Sequence, residues 1–542
     1  MGRVFFLLAL VLVPTGLASQ DRPQAPPIRV STHLVQVGVI VRDGNGAVKN
    51  LTKDDFVLLD RGKPREISVF SVESSESAPQ AVQALPPNTF SDVARNGTSK
   101  PRSVTIVLLD NLNTLSGSSP LPYETTPYWM EDHALANAKQ HLLEFLKQLD
   151  PGDRIAIYGL SDSVHVVCDF TCDRERLLAV VGKYDPSSKT QRDTAEAGSY
   201  RMPQQPNHDL DEQMGAGEQH LTAVKNEARA ETTMEALEAI AAHVADIPGR
   251  KNLLWLTANL PFSGEAIARI LSRANIAAYP VDARGLLPRS PSISTEGMSP
   301  GEASVRGALG LETTEAQTND PIGDDAMQKM ADETGGRAFV NTNDLTGAIR
   351  TAVQDSGLTY TLGFYIDARS LDDSFHELKV QVRGAGLTVR YPKGYFALKD
   401  TIATQDERHN SFLTAIKSPL YSSAIPLQIQ VSRVNQPTAD SLSLSGSIGI
   451  HDLQLVLNGE IRTGALDIAV IEQDQTGKVL SQSNNRINLR FSEKQYPEFL
   501  KTGINFRKSV QPQAGATTLR VLVQDPTTAA IGSLIIPLSQ VK

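Results

Sequence analysis

Between residues 103 and 357 the chain carries short, wholly apolar runs that alternate with patterns of helical period. The runs are Val104 to Leu109, Ile155 to Leu160, Leu253 to Leu256, Ile276 to Val281 and Ala338 to Val340. A strand that is apolar on both sides must be covered on both sides, so such runs belong to a parallel sheet with helices on each face. The segment between the first two runs predicts a helix. Glu131 and Asp132 suit its N-terminal dipole, Leu135, Ala138, Leu142, Phe145 and Leu149 form one stripe, and Asp150-Pro151-Gly152 ends it. Met234, Leu237, Ala241 and Val244 form a second stripe before Pro248-Gly249. Two polar inserts rich in Gly, Pro and Ser, residues 184 to 215 and 285 to 320, read as surface loops.

The flanks have a different texture. Val35, Val37, Val39 and Val41 alternate with Gln36, Gly38 and Ile40, and Asp43-Gly44-Asn45-Gly46 supplies a tight turn, which is a hairpin pattern. Phe56 to Leu59, Asp60-Arg61-Gly62-Lys63 and Ile67 to Val72 repeat it, giving an all-β segment over residues 28 to 73. A linker rich in Ser, Pro and Asn follows over residues 74 to 100. Beyond the α/β unit, residues 101 to 357, strand patterns return at Tyr360 to Ile366, Leu378 to Val382 and Leu387 to Tyr391. Each of the segments 28 to 73 and 358 to 397 has one apolar face and too few strands to bury it, so the two are expected to form one β-domain. Phe56, Leu58 and Phe70 would then pack against Phe364, Val380 and Val389. Residues 398 to 542 read as a second β-sandwich.

The opening of the chain has the layout of a secretory signal peptide over residues 1 to 18: Arg3, an apolar run from Val4 to Val13, then small residues at Gly16 and Ala18. The run is about half of the roughly 20 residues needed to span a bilayer, so no stable membrane anchor is expected. Residues 19 to 27 form a Pro-rich tether. The protein is therefore expected to be exported, to a periplasm or to the medium. With 52 Lys and Arg against 61 Asp and Glu, the net charge of −9 argues against nucleic acid as a partner. Only two Cys occur, which excludes a disulfide-dense scaffold, an iron–sulfur protein and a multi-cysteine zinc framework.

Several short motifs follow one another in a telling order: Val39-Ile40-Val41-Arg42-Asp43, Leu51-Thr52-Lys53-Asp54-Asp55-Phe56, Leu108-Leu109-Asp110-Asn111-Leu112-Asn113-Thr114, Gly152-Asp153-Arg154, Gly249-Arg250-Lys251-Asn252-Leu253, Ala331-Asp332-Glu333-Thr334-Gly335-Gly336 and Tyr391-Pro392-Lys393-Gly394-Tyr395. In that order they resemble the von Willebrand factor A-related family typified by secreted acidobacterial proteins, across residues 28 to 397. The resemblance implies an α/β, Rossmann-like von Willebrand factor A-type domain flanked by all-β, sandwich-like domains and used for binding rather than catalysis. It also implies a Mg²⁺-type site where the first strand ends, because a hard cation takes oxygen donors and keeps waters. The matching positions are Asp110, Thr114, Thr232 in a second loop and Asn259 after a central strand. The set is degenerate: Leu112 replaces a Ser, Glu231 stands where the Thr would lie with Thr232 and Thr233 one and two places later in a loop that could shift to supply a hydroxyl, Asn113 is out of register, and Ala258-Asn259 lacks the carboxylate. Either the site holds Mg²⁺ weakly, or Asp110 and Thr114 close the strand-to-helix turn through bonds to backbone amides.

No hydrolase or nucleotide motif is present, and Gly159-Leu160-Ser161-Asp162-Ser163 lacks the final Gly of a nucleophile elbow. Cys168 and Cys172, near His165 and Asp169, lack a second ligand pair for zinc and are expected to form a local disulfide. His133, His141 and His243 read as solvated or capping residues, and Asp54-Asp55, Asp324-Asp325 and Asp372-Asp373 as surface charge. The expected function is an exported, non-enzymatic binding protein with a protein ligand. The rivals are a secreted hydrolase or polysaccharide-active enzyme using the A-like domain as scaffold, and a structural component of the cell envelope.

Overall fold

The structure is a computed structural model that describes residues 32–74, 85–92, 104–114, 134–149, 153–170, 172–185, 208–247, 249–258, 260, 264–285, 324–399, 402–436 and 439–541. The signal-like segment, the Pro-rich tether, the expected helix ends at Glu131-Asp132 and Asp150-Pro151-Gly152, His133 and Asn259 lie outside the described residues.

The apolar runs form one sheet. Its order across the molecule is Ile276–Asp282, Lys251–Thr257, Val104–Asp110, Arg154–Leu160 and Val164–Cys168, parallel except for the last edge strand. A parallel bridge from Val281 to Phe339 extends it by one position, so the order in sequence terms is 3-2-1-4-5-6, that of a Rossmann-like sheet. The run at Ala338 to Val340 is thus a single bridge rather than a strand. It is held by Phe339 N–H to Pro280 O and Asp282 N–H to Phe339 O, both 2.9 Å.

Alternate residues of each strand face opposite layers, which is the consequence of the two-residue period. Ile106, Leu108, Leu253 and Trp255 pack with Leu237, Ile240, Ile267, Leu271, Met327 and Met330. Val107, Leu109, Leu254 and Leu256 pack with Leu135, Leu142, Leu177, Leu345 and Ile349 on the other side. Helices His208–His243, Gly264–Arg273 and Asp324–Thr334 therefore cover one face, and Ala134–Lys147, Arg174–Lys183 and Leu345–Gln354 the other. The result is an α/β, Rossmann-like fold accompanied by β-rich regions. One insert departs from the expectation of a loop, because helix begins at His208, within residues 184 to 215.

Strand Thr32–Asp43 pairs antiparallel with Leu358–Asp367, more than three hundred residues away, with Val35 opposite Phe364. Phe56–Asp60 pairs with Phe375–Val382, Leu58 opposite Val380. Phe56, Leu58, Phe364 and Val380 share one buried cluster, with Phe70 and Val389 packed against it, and the rings of Phe56 and Tyr360 lie 5.3 Å apart.

The C-terminal residues contain more helix than the alternation implies. Gln405–Lys417 opens with a capping box in which Thr404 and Glu407 bond each other's backbone, and Tyr496–Thr502 begins with Pro497 in its first turn. The remainder forms two sheets whose inner residues, among them Ile429, Leu444, Val470, Val521 and Ile536, share one core. The expected linker also needs correction: Thr89–Ser91 is a strand that pairs with Leu427–Gln436, and buried Asp92 accepts the Leu427 N–H at 2.6 Å. A three-residue strand is too short to show a period, and its single apolar residue, Phe90, packs against the C-terminal core.

Candidate functional site

The C-terminal ends of parallel strands leave backbone groups unpaired and point at the same side of the sheet, so a ligand face is expected there. Asp110 is the last residue of its strand and is completely buried. Its Oδ1 accepts the backbone N–H of Asn113 at 2.9 Å, while Oδ2 accepts Asn113 Nδ2 and the Trp255 indole N–H, each at 2.9 Å. Asn113 Nδ2 also donates to Thr233 Oγ1 at 3.0 Å. Thr233 Oγ1 in turn donates to Arg229 O one turn earlier, at 2.8 Å. Thr114 Oγ1 accepts the Ala258 N–H at 3.1 Å, tying the first loop to the end of the central strand. Burial raises the Asp110 pKa, against the lowering pull of its bonds to Asn113, Trp255 and Thr257.

This geometry corrects the expected ligand set. Thr232 lies on a continuous helix rather than a loop, half-buried, and its hydroxyl is turned back to Ala228 O at 3.0 Å. The neighbouring Thr233, fully buried, is the one that reaches the site. Asn113, out of register with the expected ligand positions, is its centre. Its amide nitrogen bridges Asp110 and Thr233, the two oxygen donors that a cation would have to bridge. Its Oδ1 receives no hydrogen bond from the described residues, so the amide's orientation is dictated by the two acceptors its nitrogen serves.

A Mg²⁺-type cation does not fit this arrangement. Neutral N–H donors occupy both oxygens of Asp110, Leu112 offers no oxygen, and an amide nitrogen stands between the remaining donors. Among the described residues no group of three or more His, Cys, Asp or Glu side chains is gathered for a metal. A positive charge is nevertheless close by. Arg229 lies four residues before Thr233, hence on the same helical face, and is half-buried. Burial lowers its pKa, and the charge of Asp110 opposes that shift.

Trp255 and Arg229 carried faint sequence signals. A Trp inside a wholly apolar strand needs a partner for its N–H, and Arg229 stands one helical turn from a Thr. Other motif residues act at the opposite end of the sheet. Arg250 donates to Gly335 O at 2.6 Å and to Tyr279 O–H at 3.1 Å, and Asn252 Nδ2 donates to Ala352 O at 2.7 Å. Gly335 has φ +78°, and a Cβ on Gly336 would run into the Ala278 carbonyl, which explains why that motif carries two glycines. These residues fasten the fold.

The histidines and paired acids also find places. His243, expected to be solvated or capping, is buried at 2% exposure, and its Nδ1 meets Tyr421 O at 3.0 Å. His141 is half-buried and its Nδ1 lies 2.8 Å from Thr346 Oγ1. Asp372 accepts from Arg61 and Ser374 and meets His376 Nε2 at 3.0 Å, so it is more than surface charge. Cys168 and Cys172 are joined, their Cα atoms 6.2 Å apart. Among the described residues no helix is long and apolar enough to cross a membrane, which says nothing of strands.

No family model matches the sequence, and no curated protein matches it. Among solved structures the chain is similar to the ArnB paralog VWA2 from Sulfolobus acidocaldarius, at 9% identity over 86% of this chain and 75% of that one, with a TM-score of 0.23. A von Willebrand factor type A structure from Catenulispora acidiphila aligns at 10% identity over 86% and 72%, TM-score 0.21. An aerotolerance-related membrane protein from Bacteroides fragilis aligns at 14% identity over 47% of this chain and 98% of that one, TM-score 0.25. Overlaps this low leave the fold resting on the strand order and helix placement described above.

Proposed function

We propose that the chain is an exported, non-enzymatic binding protein whose A-like unit receives a protein partner at the C-terminal strand face without a divalent cation, between sandwich-like β-domains. The observation that carries this reading is the bridge of Asn113 Nδ2 between Asp110 and Thr233, which puts a neutral donor in the place of a metal. With Asp110 sealed under Asn113 and Trp255, half-buried Arg229 is a positive charge beside the site among the described residues, and it suits an acidic group on the partner. Asp110 does not suit a catalytic role here, because it is buried and already accepts from Asn113 and Trp255, and a buried, bonded carboxylate is a poor general base.

The test is cross-linked capture of partners from the envelope and the medium by the full chain, with and without a chelator. Capture should survive the chelator and fall sharply with Arg229→Glu. Release of the partner by the chelator would refute cation-independent binding, and capture unaffected by Arg229→Glu would move the partner's seat elsewhere.

A further inference from the structure

The Cys168–Cys172 disulfide closes a tight loop, with a sequence separation of 4, at the end of the antiparallel edge strand. Two residues inside that loop reach another part of the chain. Asp169 Oδ1 accepts from Tyr158 O–H at 3.0 Å and lies 3.4 Å from His243 Nε2, and the ring of Phe170 stacks on His243 at 6.3 Å with planes 8° apart. His243 is in the last turn of the long helix and is buried. Its other nitrogen, Nδ1, meets Tyr421 O at 3.0 Å, and the Tyr421 ring stands edge-on to it at 4.2 Å.

Tyr421 belongs to the segment that leads from helix Gln405–Lys417 into the C-terminal sheets. The same segment is tied to the long helix by Ser423 N–H to Ala242 O at 2.9 Å and Ser423 Oγ to His243 O at 2.9 Å. It is tied to the sheets by Ser422 N–H to Ser533 Oγ and Ser533 N–H to Ser422 O, both 2.7 Å. The disulfide loop, His243 and Tyr421 therefore form a chain of contacts from the α/β unit to the C-terminal β unit. The groups around the His243 ring are Asp169 and Phe170 from the loop, Tyr158 from the sheet and Tyr421 from the connecting segment.

We propose that the Cys168–Cys172 disulfide is a redox-operated catch: oxidised, it holds Asp169 and Phe170 against His243 and locks the C-terminal β unit onto the α/β unit; reduced, it releases that lock. Access favours attack at one sulfur. Cys172 is half-exposed whereas Cys168 is buried, so the thiolate of an external dithiol reaches Cys172 Sγ. That attack forms a mixed disulfide and expels Cys168 as a thiolate, which takes up a proton. The second thiol of the reductant then attacks its own half of the mixed disulfide and frees the Cys172 thiol. Two electrons and two protons pass to the protein, and the dithiol ends as a cyclic disulfide. Loss of the covalent closure leaves Asp169 to be positioned by local bonds such as Cys172 N–H to Asp169 O at 3.0 Å.

Hydrogen exchange on the full chain, before and after reduction by a dithiol checked by intact mass, tests this. Peptides covering residues 418 to 423 and the end of the long helix should exchange about tenfold faster once reduced, the size of one lost charge-assisted hydrogen bond. Strand Val104–Asp110 should keep its protection. Asp169→Asn in the oxidised chain should loosen the same peptides. Unchanged exchange at 418 to 423 in fully reduced protein, a rise shared by Val104–Asp110, or full protection in folded Asp169→Asn would each overturn the proposal.

Discussion

The indole N–H of Trp255 donates to Asp110 Oδ2 at 2.9 Å, tying the end of one parallel strand to the body of its neighbour. A carboxylate with no exposure survives at the end of a sheet only when its lone pairs are filled, and here Trp255 and Asn113 fill them. The same bond explains why an apolar strand tolerates a Trp. Its ring belongs to the core and its nitrogen to the site.

Asp110→Asn should destabilise the α/β unit by about 1–3 kcal/mol, because an amide presents an N–H where the carboxylate accepted one and leaves a buried donor unmatched. Urea unfolding followed by Trp fluorescence reads the shift in midpoint. Addition of Mg²⁺ should leave the wild-type midpoint in place.

Asn113→Asp should turn the site into a cation-dependent one. The new carboxylate would face Asp110 without the bridging N–H, and two buried carboxylates so close repel unless a cation or proton joins them. The variant is expected to unfold at lower urea in chelator and to regain stability with Mg²⁺ or Mn²⁺. Equal stability with and without the ion would show that the amide is not in the cation's place.

Lys251 is buried at the other end of the sheet, with Nζ donating to Ile247 O at 2.6 Å and Gly249 O at 3.2 Å. Burial lowers its pKa from 10.5 to about 8, against the pull of Asp246 and Glu73. The folded pKa is thus below the unfolded one, so between pH 8 and 10.5 the unfolded chain holds a proton that the folded chain has lost. Stability contributed by this group rises with pH across that window, by roughly 3 kcal/mol, and is flat below it. The difference in unfolding free energy between wild type and Lys251→Met, measured from pH 7 to 10.5, should show that slope; a pH-independent difference would contradict it.

Asp355 follows the last helix of the α/β unit and has no exposed side-chain surface. It pairs with Arg42 at 2.9 Å and with Arg390, both from the first β unit, and accepts Tyr279 O–H at 3.0 Å. Asp355→Ala would leave two guanidinium groups facing each other and is expected to cost about 3 kcal/mol, the low end for a broken buried pair because both arginines are partly exposed. The strands Thr32–Asp43 and Thr388–Arg390 should lose exchange protection before the central sheet does.

The layers of the α/β unit were readable from residue order alone, because burial on both faces forces wholly apolar strands and an amphipathic helix advertises its stripe. The pairing segments on either side of it were readable for the same reason, each showing one apolar face. The short strand Thr89–Ser91 and the bridge at Phe339 were not, since three residues or one carry no period. Helix Gln405–Lys417 is not legible in the sequence because its inward-facing stripe is thin, with Ala415 its buried residue.

At the site, residue order determined that Asp110 ends a buried strand and that the positions around it are poor in oxygen donors. Which groups meet Asp110 was decided by tertiary structure. Trp255 is 145 residues from it and Thr233 is 120 from Asn113. Hydropathy periods specify which face of an element is buried, and they say nothing about angles and distances between elements. A hydrogen bond exists only within about 3.5 Å and a narrow angle, so the choice of Thr233 over Thr232, and of Asn113 as the bridge, had to wait until the long helix and the sheet were packed together.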